Sequence, residues 1–258
     1  MAVPTAQSKE SGRARLALNS RTDNWWIRPV LTVLVLGGFG LYATFRAFEN
    51  QFFAWGPYLS PFYSPEIPLR WNLAGWNISP ALYILVFPLS FRLTCYYYRL
   101  AYYRAFFWDP PACAVPEPAM RKKYTGERQF PFVLQNLHRF AFYAAAIFIV
   151  ILSWDAIKAF NFDGRFGMGL GTLLLVLNVV LLALYTFSCH SFRHLIGGRV
   201  NCYSCSVASR SRYGIWKQVS FLNERHAIYA WASLFSVMIV DFYLRLVSSG
   251  AIQDVRFF

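Results

Sequence analysis

The run MGLGTLLLVLNVVLLALYTFSCHSFRHLIGGRVNCYSC, residues 168–205, decides how the rest of the chain is read. Its first part, residues 168–189, is dense in Leu and Val and carries no charge, which suits a helix that crosses the hydrocarbon core of a bilayer. Its second part, Cys189–Cys205, gathers two of the four histidines and three of the five cysteines where that apolar segment gives way to a basic loop. His190 and His194 are four apart, so a helix continuing through them puts both imidazoles on one face. Cys202 and Cys205 form a C-x2-C pair, the spacing that lets two thiolates from one turn reach one metal atom. Between the pairs, Gly197 and Gly198 are suited to end the helix and fold the chain back. The expected metal ligands are therefore His190, His194, Cys202 and Cys205, two imidazoles and two thiolates, the donor count of a Rieske-type [2Fe-2S] cluster. A structural zinc takes the same ligands and is the competing occupant.

Working outward, the chain of 258 residues is 57% hydrophobic, 19% aromatic and only 14% charged, too apolar and too poor in charge for a soluble domain of its size. The expectation is an all-α, multi-pass membrane protein. A net charge of +13 would suggest nucleic acid in a soluble protein, but here Lys and Arg gather in loops between apolar runs, where they set topology; no nucleic-acid partner is expected. Residues 1–24 are polar and basic, with Lys9, Arg13, Arg15 and Arg21, and do not have the form of a signal peptide. The five expected spans are about 29–48, 80–98, 137–157, 168–189 and 226–244, within a transmembrane domain of residues 25–248 followed by a tail, 249–258. No internal repeat is apparent in the sequence. Arg92 lies inside the second apolar run, where an unpaired charge is costly, so it either faces a partner or ligand or snorkels to the interface.

With five spans, the N-terminal segment and the loops after spans two and four share one side and hold 18 of the 25 Lys and Arg; the other side holds six, and Arg92 lies within a span. The positive-inside rule then puts the N-terminus in the cytoplasm and the C-terminus outside. The same side carries four of the five cysteines, which argues against a secreted disulfide framework. It also puts His138, His190, His194 and His226 at one depth, near the cytoplasmic face. Two haems stacked across the bilayer would need axial histidines at both faces. One haem on the inner side, between His138 and His226, stays open as an alternative.

Five spans and this motif resemble a known family, the membrane-anchor subunit of actinobacterial, particularly mycobacterial, succinate dehydrogenase, the type with a single five-helix anchor and no haem. The residues that carry the resemblance are CHSFRH at 189–194, GGRVNCYSC at 197–205 and LNERHAIYAW at 222–231. It implies a place in the inner (plasma) membrane, association with a flavoprotein and an iron–sulfur subunit on the cytoplasmic side, a membrane-embedded Rieske-type cluster, and electron transfer to quinone, menaquinone or ubiquinone. Succinate oxidation itself would belong to the partner subunits. Soluble Rieske proteins draw one ligand of each kind from each C-x-H or C-x2-H box, which this sequence lacks; Cys189 is an alternative to one of the two cysteines. A quinone pocket near the cluster needs aromatics and a few hydrogen-bond donors, and the candidates are Tyr97, Tyr98, His138, Arg139, Trp216, Arg225, His226 and Trp231. The loops 99–139 and 191–225, with Arg121, Lys122 and Lys123, are the expected docking surface for the soluble subunits. Two further readings stay in view: a haem b anchor of the same complex, and a membrane scaffold holding zinc.

Overall fold

The computed structural model describes residues 23–67, 71–73, 76–111, 128–130, 132–198 and 200–258; Lys9, Arg13, Arg15, Arg21, Arg121, Lys122 and Lys123 lie outside them. The chain is mostly helical, at 71%. Four stretches are long and apolar enough to cross a membrane: Ile27–Glu49, Phe132–Lys158, Leu170–Phe187 and His226–Ser248. The first is helix α1, Ile27–Glu49, which carries Pro29 in its first turn, where a missing N–H costs nothing, and ends on Asn50 in the left-handed conformation. Short antiparallel hairpins follow, Ala54–Trp55 with Tyr58–Leu59 and Trp71–Leu73 with Trp76–Ile78.

Where the sequence suggests one span over 80–98, the chain makes two helices. Helix α2, Pro80–Thr94, starts on a Ser79 cap whose side chain accepts from the Ala81 N–H, and α3 runs Tyr96–Phe107. Cys95 between them is extended, with ψ 128°. At 15 residues α2 is about 22 Å long, shorter than the roughly 30 Å hydrocarbon core. Helix α4, His138–Lys158, follows a 3-10 turn, Phe132–Leu137. After the small hairpin of Asn161–Phe162 and Arg165–Phe166 comes α5, Leu170–Phe187, and this run too stops before its expected end at 189. Cys189 is extended, with ψ 145°, and caps α6, His190–Gly197. Helices α7, Val207–Glu224, and α8, His226–Ser248, complete the chain.

The same local order therefore occurs twice: an apolar helix, a Thr-Cys or Ser-Cys break, further helices, then a span that begins on a histidine. Only the break and the histidine recur in the sequence, so this order does not read as an internal repeat. Helix α8 packs most extensively on α5, α4 on both α2 and α5, α3 on α1, and α7 on α6. The last pair forms an arm that rests on the bundle through Phe192, which stacks on Phe142. There Trp216 lies so close to Gly197 that any Cβ at that position would strike its indole, and Arg212 donates to the Ile196 and Gly198 carbonyls at 2.6 and 2.9 Å, satisfying the C-terminal end of α6.

At the end of the bundle away from the histidines, a polar network ties α1 to α8. Asp241, fully buried, accepts from Tyr42 at 2.6 Å, from the Ser60 hydroxyl and from Arg245 Nε at 2.8 Å. Arg245 also reaches Glu49 at 2.8 Å and the Gln51 carbonyl at 2.6 Å. The C-terminal residues close this end: Phe257 N–H donates to the Met168 carbonyl, and Asp254 accepts from Tyr58, Tyr243 and the Gly171 N–H. Arg92 does not snorkel. Its guanidinium donates to Tyr98 Oη at 2.5 Å, the Ala230 carbonyl at 3.2 Å and Ser233 Oγ at 3.0 Å, with its carbon 4.7 Å from the Tyr185 ring centre.

Candidate functional site

Three helices end and four begin at one place. The ends are α2 at Thr94, α5 at Phe187 and α7 at Glu224; the starts are α3, capped by Cys95, α4 at His138, α6, capped by Cys189, and α8 at His226. Helix starts expose unpaired N–H groups and a partial positive charge, which favour thiolates. Cys189 already uses one: its sulfur accepts from the Ser191 N–H at 3.4 Å. Cys95, Cys189, His138 and His226 are all buried.

These four side chains are cross-linked in a reciprocal pattern. His138 Nε2 faces Cys189 Sγ at 2.9 Å, while its Nδ1 meets Thr94 Oγ1, also at 2.9 Å. His226 Nε2 faces Cys95 Sγ at 3.4 Å, while its Nδ1 meets Ser188 Oγ at 2.7 Å. Each break thus contributes a thiol to one histidine and a hydroxyl to the other.

The hydroxyl contacts are consistent with one tautomer of each imidazole. Thr94 donates its single proton to the Ser90 carbonyl at 2.7 Å, and Ser188 donates its own to the Tyr185 carbonyl at 3.1 Å. Both hydroxyl oxygens are then left to accept, so each imidazole is assigned its proton on Nδ1 and a bare lone pair on Nε2. That is the state of a metal-ligating histidine oriented by an outer partner. Aromatic rings hold the imidazoles flat: Phe91 stacks on His138 with centres 4.9 Å apart, and Tyr185 on His226 at 5.0 Å.

The donor set fits a binuclear group better than a single ion. Among the described residues no three His, Cys, Asp or Glu side chains close on one metal-sized point. The two nitrogen and two sulfur donors match in number and kind what a Rieske-type [2Fe-2S] cluster requires, although each contact pair here joins one His to one Cys, where such a cluster puts both His on one iron.

The set expected from sequence is placed differently. His190 and His194 do lie together on α6, their ring centres 4.4 Å apart. Cys202 and Cys205, however, are joined to each other in a disulfide. The Gly197–Gly198 turn does not return them to the histidines; it leads into a loop whose Tyr203 donates to the Gly197 carbonyl at 2.9 Å. Burial, together with His194 and Arg193 beside it, holds the His190 imidazole below its ordinary range.

A cavity of about 560 Å³ opens over the four donors, between the helix ends. Of the quinone candidates, Tyr97, His138, Arg139 and His226 line it. Trp231 stands behind, donating to Tyr97 Oη at 2.7 Å, and Tyr98 is buried with its hydroxyl on the Ala230 carbonyl at 2.6 Å. Trp216 belongs to the α6–α7 arm, where Arg193 lies over its ring, and Arg225 lies over Phe221 and donates to the Phe221 carbonyl. Asn136, His190 and Asn223 add polar groups to the lining.

The family model of the actinobacterial succinate dehydrogenase subunit SdhC matches residues 27–250, almost the whole described chain. The chain belongs to that family. A chain of the Mycobacterium smegmatis Sdh1 complex in the apo form has the same fold, with TM-score 0.82 and 47% identity over 93% of this chain and 94% of that one. No curated protein matches it. This SdhC chain is thus a multi-pass membrane subunit of succinate dehydrogenase. Within it, sequence reasoning missed Cys95, Thr94, Tyr185 and Ser188. The available signal was a hydroxyl residue followed by cysteine at the end of two apolar runs, each upstream of a histidine that opens the next span.

Proposed function

We propose that this subunit anchors the succinate-oxidising subunits to the membrane and holds a Rieske-type [2Fe-2S] cluster on Cys95, His138, Cys189 and His226, beside a quinone pocket. The observation that carries the reading is the reciprocal pair of thiol-and-hydroxyl breaks, which leaves two imidazole lone pairs and two sulfurs directed into one buried space. When bound, such a cluster supplies a one-electron centre whose potential is raised by imidazole ligation. The chain's own residues do the rest. Thr94 and Ser188 hold the imidazoles in the ligating tautomer, Phe91 and Tyr185 shield them from lipid and water, and Tyr97, Asn136, Arg139 and His190 offer polar groups to the carbonyl oxygens of a quinone in the cavity.

The finer topology belongs to the same proposal. Five crossings, with α2 and α3 together forming the second, put the N-terminus in the cytoplasm and the basic loops on that face, as the 18-to-6 bias of Lys and Arg indicates. A flavoprotein and an iron–sulfur subunit would dock there, with Arg121, Lys122 and Lys123, outside the described residues, facing an acidic patch.

Electron paramagnetic resonance of the purified, reduced complex tests the ligand set. Cys95→Ser or Cys189→Ser is expected to remove a Rieske-type signal and succinate:quinone activity, while succinate oxidation by an artificial acceptor at the soluble subunits continues. His190→Ala with His194→Ala is expected to keep the signal. Loss of the signal in that double variant alone would return the ligands to α6, and a haem absorption band in the parent would favour the cytochrome alternative.

A further inference from the structure

Arg92 lies one turn before the Cys95 break, and its guanidinium is held inside the bundle by Tyr98 Oη, Ser233 Oγ and the Ala230 carbonyl. All three partners are neutral, and among the described residues no carboxylate lies within ion-pair distance of it. The same bundle supplies carboxylates to its other inward arginines: Arg46 has Glu49, and Arg245 has Glu49 and Asp241. Arginine stays protonated away from water, and an unpaired charge there is costly, so a membrane subunit that surrounds one with neutral groups has a use for it. Its place says what that use is. The Arg92 carbonyl accepts the Cys95 N–H at 3.2 Å, and the Ala230 carbonyl lies one turn into the helix that His226 opens. The Tyr185 ring centre is 4.7 Å from the guanidinium carbon and 5.0 Å from the His226 ring centre. The charge is therefore within about 10 Å of that imidazole, where screening by salt is slight because the bundle excludes ions.

We infer that Arg92 is the counter-charge of the electron taken up at the site, and that its field raises the potential of the bound cluster. The inference rests on the cofactor reading above and goes beyond it in assigning a residue that is not a ligand. A count of charges carries it. In a two-histidine, two-cysteine centre the ferric ions and bridging sulfides together hold two positive charges, the two thiolates cancel them, and neutral imidazoles add none. The oxidised centre is neutral. One electron from the soluble iron–sulfur partner turns one ferric ion ferrous and leaves a single negative charge, with no proton or leaving group involved. A fixed cation nearby stabilises that reduced state and leaves the neutral oxidised one almost unaffected, so the potential rises. A carboxylate beside Arg92 would cancel the effect, which accounts for its neutral partners. Arg92 thus acts through space, as a positioned charge.

The test is a redox titration of the Rieske-type signal in the purified complex, with dithionite as reductant. Arg92→Gln, which removes the charge and keeps hydrogen-bond donors, is expected to move the midpoint to a more negative value while the g-values stay those of a two-histidine, two-cysteine centre. Arg92→Lys keeps the charge and is expected to hold the midpoint near that of the parent. Ser233→Asp, which sets a carboxylate against Arg92 in place, is expected to lower the midpoint as Arg92→Gln does, and it decides the matter if Arg92→Gln does not assemble. Midpoints unmoved in an intact signal, or an equal fall in Arg92→Lys and Arg92→Gln, would overturn the inference and leave the cofactor reading untouched. Absence of the signal from the parent complex would overturn both.

Discussion

At the scale of single residues, a hydroxyl proton decides what a histidine can do. With the Thr94 and Ser188 hydroxyls donating to carbonyls, the tautomer assigned to His138 and His226 has a bare Nε2, and no neighbouring acid is needed. The opposite end of the bundle solves a different problem with charge. Asp241 and Arg245 are both buried, 2.8 Å apart, and each is further hydrogen-bonded, which is the condition for ions to persist away from water. Asp241→Leu is expected to lower stability by roughly 3–5 kcal/mol, because it leaves Arg245 Nε and the Tyr42 and Ser60 hydroxyls without their acceptor and Arg245 with Glu49 as its remaining carboxylate. Adding Arg245→Met should restore most of that loss, since Glu49 keeps Arg46 at 2.7 Å. Thermal denaturation of the detergent-solubilised complex, run as a double-mutant cycle, checks both; two losses that simply add would show that the pair is not coupled.

At the scale of elements, the breaks at Cys95 and Cys189 matter more than the helices they interrupt. Neither break contains glycine or proline. Each extends the backbone for one residue and so places a thiol where α3 or α6 begins. The α6–α7 arm is held together by Trp216 and Arg212 and rests on the bundle through Phe192. Removing the Arg212 hydrogen bonds to Ile196 and Gly198, as in Arg212→Met, should speed amide exchange of residues 194–198 about tenfold, equivalent to about 1.4 kcal/mol, with α5 and α8 unchanged. Uniform acceleration across the chain would mean that the arm is not an independent unit. Because Cys202 and Cys205 are bonded to each other, replacing both with serine is expected to leave the paramagnetic signal and quinone reduction as they were. A lost signal would show that these sulfurs are needed at the metal after all.

At the scale of the whole molecule, the two ends of the bundle carry different chemistry. One end collects helix starts, imidazoles and thiols around an open cavity; the other is closed by the C-terminal residues and the Asp241–Arg245–Glu49 network. That polarity suits a subunit that meets soluble partners on one face only. In intact cells, a tag before Met1 should resist external protease and a tag after Phe258 should be cut. Cleavage of both, or of neither, would remove the five-crossing arrangement and its orientation.

The sequence by itself determined that this is a helical membrane protein and which runs form its apolar helices, and it drew attention to the histidines and cysteines near one end of them. Hydrophobic run length and charge distribution are sums over neighbouring residues, and so they are legible along the chain. The contacts between buried thiols and imidazoles were not legible in that way. His190, His194, Cys202 and Cys205 attract attention because they are neighbours in sequence, yet a site where helices start draws on residues far apart. Cys95 meets His226 across 131 positions, and His138 meets Cys189 across 51. Which thiol faces which imidazole follows from the packing of α4 on α2 and of α8 on α5. Only the tertiary structure decided it, because side-chain contacts between helices depend on their relative rotation and depth, which no local pattern encodes.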